Sequence, residues 1–438
     1  MVVLAGMNIV IALAALSVLI IVHELGHFTA AKLTGIRVTE FSIFMGPKLV
    51  KRKVGETTYS LGVLPIGGYI TMEGENEDSG DARAYCNRPK WARAAVLAAG
   101  PVCNILVALL FVVIIFAARG YPTTRVSRVD AGSPAEAAGI AGGDVIKSFA
   151  GRSVYSPMDL DLFLYAQSEK AVTVGLRRDG AHVAADVELA DIDPSVDYVI
   201  GFDTRVGGDG LKTTLVERVV GGYGAEAAGL LVGDEVVAVN GEGVSSLAEI
   251  KERINEGREG PIMITVVRDG ETLDLPPAMA SRVEYPGVRN YLGVRFQWDE
   301  GSFPGLLPSS ASYLYSMGRS TVYSLLWLVT GKVSLGEMMG PVGIIGTIGE
   351  TVSESATAGT AALNLMAVCA LISVNLGFFN LIPFPALDGS KLSFLLVELI
   401  RGRPISKKWE YRINICGFIC LFALMVFATS NDIMRFFG

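Results

Sequence analysis

Apolar residues in this chain gather into four long runs. Between residues 1 and 31 the single charge is Glu24, and residues 94–118, 355–387 and 413–431 carry none. Each run is long enough to cross a hydrocarbon core of about 30 Å, which takes roughly 20 helical residues. The pattern therefore predicts four membrane-spanning helices: 1–31, 94–118, a third over 355–400 and a fourth over 410–431. A weaker stretch, 309–331, mixes apolar residues with Arg319 and several Ser and Tyr. It reads as an interfacial amphipathic helix within a linker, 283–354. The opening run lacks a basic flank and a small-residue cleavage site, so it reads as a retained span rather than a signal peptide.

Other segments change period. Residues 38–47 and 57–68 alternate apolar and polar positions between Gly and Pro breaks, which predicts β-strands in the first loop, 32–93. Between the second and third runs lies an internal repeat. Ala135-Glu136-Ala137-Ala138-Gly139, followed by Gly143-Asp144, returns as Ala225-Glu226-Ala227-Ala228-Gly229, followed by Gly233-Asp234. Arg178-Asp179-Gly180 returns as Arg268-Asp269-Gly270, at the same offset of 90 residues. That period is too long for a solenoid and implies two copies of one domain, 121–201 and 202–282. Within each copy, alternating stretches predict strands, and Arg-Asp-Gly predicts a tight hairpin turn. These features resemble PDZ domains, which bind extended peptides by adding a strand to a sheet edge.

Charge orients the chain. The loop 32–93 carries ten Lys/Arg and the loop 401–412 carries five, whereas the first seven residues carry none. The positive-inside rule places both loops in the cytoplasm, and both termini and the repeat outside. The net charge of -7 gives no reason to invoke nucleic acid. Five cysteines occur, none in the outer segment, so no disulfide framework is expected there.

The chemistry lies inside the apolar runs. His23-Glu24-Leu25-Gly26-His27 is an HExxH motif. On a helix the two histidines share one face and can bind one metal ion, with Glu24 placed as general base. Ionisable groups at that depth are costly and need a partner or a function. The only other histidine, His182, follows a turn in the outer segment and reads as a surface residue. A catalytic zinc takes three protein ligands and keeps one position open. The best-placed third ligand is Asp388, in Asn380-Leu381-Ile382-Pro383-Phe384-Pro385-Ala386-Leu387-Asp388-Gly389. The two prolines break the third span, and irregular backbone at depth is tolerated only where it is buried in protein or lines a wet cavity.

HExxH in the first span, the Asn-x-x-Pro-x-Pro-x-Leu-Asp-Gly stretch in the third and the tandem repeat between spans resemble the site-2 proteases, a family of zinc intramembrane proteases, in the bacterial form with two PDZ domains. Further matching pieces are Gly100-Pro101-Val102-Cys103-Asn104, Gly340-Pro341-Val342-Gly343, and Gly67-Gly68-Tyr69 with Glu73-Gly74-Glu75. The resemblance spans essentially the whole chain. It implies a polytopic α-helical inner-membrane protein with two extracytoplasmic β-rich domains and a membrane-associated β-hairpin in the first loop. It also implies Zn2+ held by His23, His27 and Asp388, catalysis by Glu24, and substrate handling by Asn375, Asn380, Pro383 and Pro385. The implied substrates are single-span membrane proteins such as anti-sigma factors, pre-cut by a site-1 protease, or signal-peptide remnants. Ser390 stands where the family pattern often has a second glycine, which leaves the local loop geometry open. The competing class is a membrane-anchored PDZ scaffold or chaperone with a structural metal. A transporter would show inverted repeats among the spans, and none is seen.

Overall fold

The computed structural model describes residues 2–75, 79–206, 212–285, 287–300, 303–334, 336, 339–353, 355 and 357–437. Four of its helices are long and apolar enough to cross a membrane: Ile9–Leu33, Lys90–Arg119, Ala358–Leu381 and Lys407–Arg435. They are called the first to fourth spans below. The first packs on the second, and the second on the third. Gly26 permits the first of these approaches, since a Cβ there would stand 2.4 Å from the Ala99 carbonyl oxygen. The fourth span stands further off, its face of Phe418, Phe422 and Met425 exposed, as suits a lipid-facing helix. Its Asp432 caps the helix Pro341–Ser353 by accepting from the backbone N–H groups of Gly340 and Gly343, at 3.0 and 2.8 Å.

The third apolar run is broken, as its prolines require. The third span ends at Leu381 and a separate helix, Asp388–Arg401, begins seven residues later.

The first loop is more elaborate than the expected hairpin. Val38–Val54 and Thr57–Met72 pair antiparallel, but each bends back on itself. Residues 38–43 pair with both 58–61 and 68–72, and 48–54 pair with 57–62. The result is a four-segment sheet with 48–54 and 68–72 at its edges. The bend at Phe44 and Gly46 uses positive φ angles of 64° and 83°, which sequence alternation does not signal. The 68–72 edge runs beside the first span, where Ser17 Oγ donates to the Pro65 carbonyl at 2.7 Å.

The segment between the second and third spans holds two five-stranded paths of matching order. In the second unit the order is Phe202–Val206, Lys212–Val219, Glu235–Val239, Ile264–Arg268, Glu271–Asp274. In the first it is Val294–Asp299, Tyr121–Val129, Val145–Phe149, Ala171–Arg178, Ala181–Glu188. The edge strand of the first unit thus comes from beyond the second unit. Ser195–Val199 pairs with Ser281–Tyr285 at the crossing. The second unit is therefore inserted into the first, and Ser281–Tyr285, Val288–Tyr291 and Val294–Asp299, expected as domain end and linker, are strands. Each unit has its own apolar core, around Phe149 and Phe163 in one and Val236 and Ile250 in the other.

The repeat motif has a physical reason. Asp144 and Asp234 are 2% and 1% exposed. Arg178 and Arg268 grip them in two-pronged pairs with both contacts at 2.7 Å, and reach on to the carbonyls of Gly139 and Gly229 at 2.7 and 2.8 Å. Asp179 and Asp269, with φ of 48° and 53°, and the glycines after them make the expected tight turns.

The expected amphipathic helix is Phe303–Val329. One face packs on the second and third spans through Leu314 and Met317. The other clasps the first β unit. Arg319 lies 4.6 Å over the Phe163 ring, donates to the Ser153 carbonyl at 2.6 Å and pairs with buried Asp159 at 3.3 Å. Its two faces thus meet two parts of the protein.

Burial works against the charge of Asp234, but the Arg268 fork outweighs it and holds the carboxyl below the usual range. Such a group stabilises the fold at neutral pH and loses that contribution as pH falls through its titration. Arg268→Ala is expected to destabilise the second unit by about 2–3 kcal/mol at pH 7. The gap between variant and wild type should close in acid. Pulse proteolysis of the full-length protein in detergent across pH checks both.

Candidate metal centre

His23 and His27 occupy successive turns of the first span and are each 7% exposed. The broken third run carries Asp388 to them. His23 Nε2 lies 3.1 Å from His27 Nε2 and 3.1 Å from Asp388 Oδ2, and His27 Nε2 lies 3.3 Å from the same oxygen. Zinc bonds of about 2.0–2.2 Å at tetrahedral angles separate ligand atoms by about 3.4 Å, so one ion fits this triangle. Two nitrogens and a carboxylate oxygen also suit zinc chemically, and leave a fourth position open.

Neighbouring elements shape this geometry. His27 Nδ1 donates to the Val96 carbonyl at 2.7 Å, which leaves Nε2 free to ligate. Gly100 makes room for the rings, since a Cβ there would meet His27 Nε2 at 2.4 Å and His23 Cε1 at 2.9 Å. Asp388 opens its own helix, where the N-terminal dipole favours a carboxylate. Gly389 is fixed by crowding, because its Cβ would stand 2.2 Å from the Ile382 carbonyl oxygen. Ser390, in place of a second glycine, is absorbed locally by donating from Oγ to the Leu387 carbonyl at 2.8 Å. One turn beyond Asp388, Lys391 pairs with Glu75 at 2.9 Å and ties this helix to the first loop.

Glu24 is half-buried on the same helix, near enough to interact electrostatically with both histidines and Asp388. A Cβ on Gly68, in the 68–72 edge, would stand 3.7 Å from Glu24 Cγ. Asn375, on the third span, accepts from Thr321 Oγ1 at 2.6 Å. It lines a cavity of about 490 Å³ with Tyr165, Thr321 and Phe379. Asn380 is half-buried and its side chain has no hydrogen-bond partner among the described residues. Pro383 is exposed, whereas Pro385 packs on the fourth span at Gly417. His182 lies on an exposed strand away from the cluster.

Sequence reasoning gave no role to Val96, Gly100 or Asn104. The last two were visible within Gly-Pro-x-x-Asn, and a polar Asn inside an apolar span is itself a signal.

Apolar spans enclosing a His–His–carboxylate cluster define the class: a multi-pass membrane protein with a metalloenzyme-type centre. The sequence profile of peptidase family M50 matches residues 11–424. Zinc metalloprotease RasP of Shouchella clausii is 32% identical, over 99% of this chain and 100% of its own. Protease RseP of Yersinia pestis is 30% identical, over 97% of each chain. Regulator of sigma-E protease RseP of Salmonella typhimurium is 30% identical, over 98% of each. The chain belongs to peptidase family M50, the site-2 proteases. It is a multi-pass inner-membrane zinc protease, and the scaffold alternative is set aside.

Gly100→Ala is expected to lower zinc affinity at least about tenfold, or about 1.4 kcal/mol, because a main-chain methyl cannot swing away from His27. Competition with a zinc chelator on the purified protein measures it.

Proposed function

We propose that this protein cleaves transmembrane segments of other membrane proteins within the bilayer, with zinc held by His23, His27 and Asp388 and Glu24 as general base. The observation that carries this reading is the 3.1–3.3 Å triangle of ligand atoms built from residues 365 positions apart. Zinc, when bound, supplies a Lewis acid that polarises the scissile carbonyl and acidifies water. Glu24 takes a proton from the attacking water and passes it to the leaving amine. Asn380, with its amide free of partners among the described residues, is the better placed of the two asparagines to hold substrate backbone. Asn375 is already engaged by Thr321. Pro383 and Pro385 keep the stretch before Asp388 non-helical, so that it borders the site.

A helical substrate hides its carbonyls and must unwind before it is cut. The 68–72 edge of the first-loop sheet, beside Glu24, offers unpaired backbone groups to the extended strand. The basic loops 32–93 and 401–412 support a site that opens towards the cytoplasm and β units on the outside.

The two β units act as PDZ domains that screen substrates by size. Their anchorage supports this: Tyr121–Val129 and Val294–Asp299 are paired neighbours, and the clasp by Phe303–Val329 holds the first unit against the spans. Each unit also has a groove, of about 820 Å³ beside Leu160, Leu164 and Val294 and about 410 Å³ beside Ile250, Ile254 and Phe202. These favour a second reading, capture of a new C-terminus on a pre-cut substrate. By family analogy the substrates are single-span proteins such as anti-sigma factors, trimmed by a site-1 protease, and signal-peptide remnants.

Glu24→Gln should retain zinc and lose turnover by at least about 100-fold, from the usual worth of a general base. Metal content and cleavage of a single-span substrate are measured side by side, and substantial residual cleavage refutes the role. A graded series of substrates with growing external domains should be cut progressively more slowly, and rates independent of that size refute the screen.

A further inference from the structure

Asn104 lies in the second span and is fully buried, at 0% exposed. Ser373 Oγ, from the third span, donates to its backbone carbonyl at 2.8 Å and fixes the main chain there. Its side-chain Nδ2 lies 3.1 Å from His23 Nδ1. Its Oδ1 is buried with no hydrogen-bond partner among the described residues. This amide therefore faces the ring of a proposed ligand from behind, opposite the nitrogen that joins the triangle.

The two histidines are supported differently. His27 Nδ1 meets a main-chain carbonyl, which can only accept, so its proton stays on Nδ1 and its Nε2 lone pair points at the triangle. His23 Nδ1 meets an amide that can present either of its ends. As placed, nitrogen faces nitrogen, and Nδ2–H donates to Nδ1. A neutral ring then carries its proton on Nε2, the wrong tautomer for a ligand. A metal on Nε2 requires the proton on Nδ1, where it becomes a donor that an amide N–H repels and an amide oxygen accepts. The two ends of the amide have nearly the same shape, so a half-turn exchanges them without repacking. That turn also gives the orphaned Oδ1 a donor.

We propose that Asn104 is a positioning residue: in the zinc-loaded protein its amide is turned so that Oδ1 accepts the Nδ1 proton of His23. This sets the ring plane and the tautomer that presents Nε2. The inference rests on the ligand assignment proposed above.

The test measures zinc affinity of the full-length protein by chelator competition, with no substrate present. Asn104→Leu keeps the size and removes the acceptor, and affinity is expected to fall roughly 10–100-fold, the usual cost of losing such a support. Asn104→Asp always accepts, and is expected to bind zinc at least as tightly as wild type. His23→Ala is the control for the ligand itself. Wild-type affinity in Asn104→Leu, beside lost affinity in His23→Ala, overturns the positioning role and leaves the ligand assignment standing. Equal losses in the Leu and Asp variants overturn it too, since shape alone would then be at work. Unchanged affinity in His23→Ala overturns the ligand assignment and this inference with it. If Asn104→Leu does not accumulate in membranes, Asn104→Ala against Asn104→Asp is read by the same criteria.

Discussion

Two imidazoles and a carboxylate meet inside apolar helices, and most of the surrounding structure follows from the need to make that meeting tolerable. Polar groups removed from water cost several kcal/mol unless they are partnered. Here each partner is supplied by a different element. The second span gives His27 a carbonyl at Val96, gives both rings space at Gly100 and sets the Asn104 amide behind His23. The broken third run turns Asp388 inward at a helix start. The first and second spans must approach closely for this to work, and Gly26 against Ala99 permits it. Crowding of the rings, the main-chain approach and the break before Asp388 are consequences of one requirement.

The two β units obey a different logic. Each is held by a buried Asp–Arg fork and an apolar core of its own. What joins them to the spans is the helix Phe303–Val329. Arg319 on that helix grips the first unit at Asp159 and Ser153, and Thr321, two residues on, reaches Asn375 of the third span. One continuous helix thus contacts both the first β unit and the third span.

Much of the site could be read from the chain. HExxH in an otherwise uncharged run, and Asp388 after two prolines in another, are energetically improbable without a shared ion. The tight Arg-Asp-Gly turns could be read as well, because those contacts are local. The nesting was not legible. The edge strand Val294–Asp299 shares no motif with its counterpart Phe202–Val206, and its pairing to Tyr121–Val129 bridges more than 160 residues. The first-loop sheet was underestimated for a related reason: two sequence strands that bend at positive φ became four segments.

The sequence alone thus marked the spans and the three residues, His23, His27 and Asp388, that the fold brings together, because burial of apolar runs and the cost of isolated charges act residue by residue. Tertiary structure decided which atoms face one another in the cluster, which side of each ring is held, and where the first β unit is anchored. Those outcomes depend on close approaches between elements far apart in the chain, at Gly100, Asn104, Asp388 and Arg319. No single stretch of sequence encodes the distance between two others.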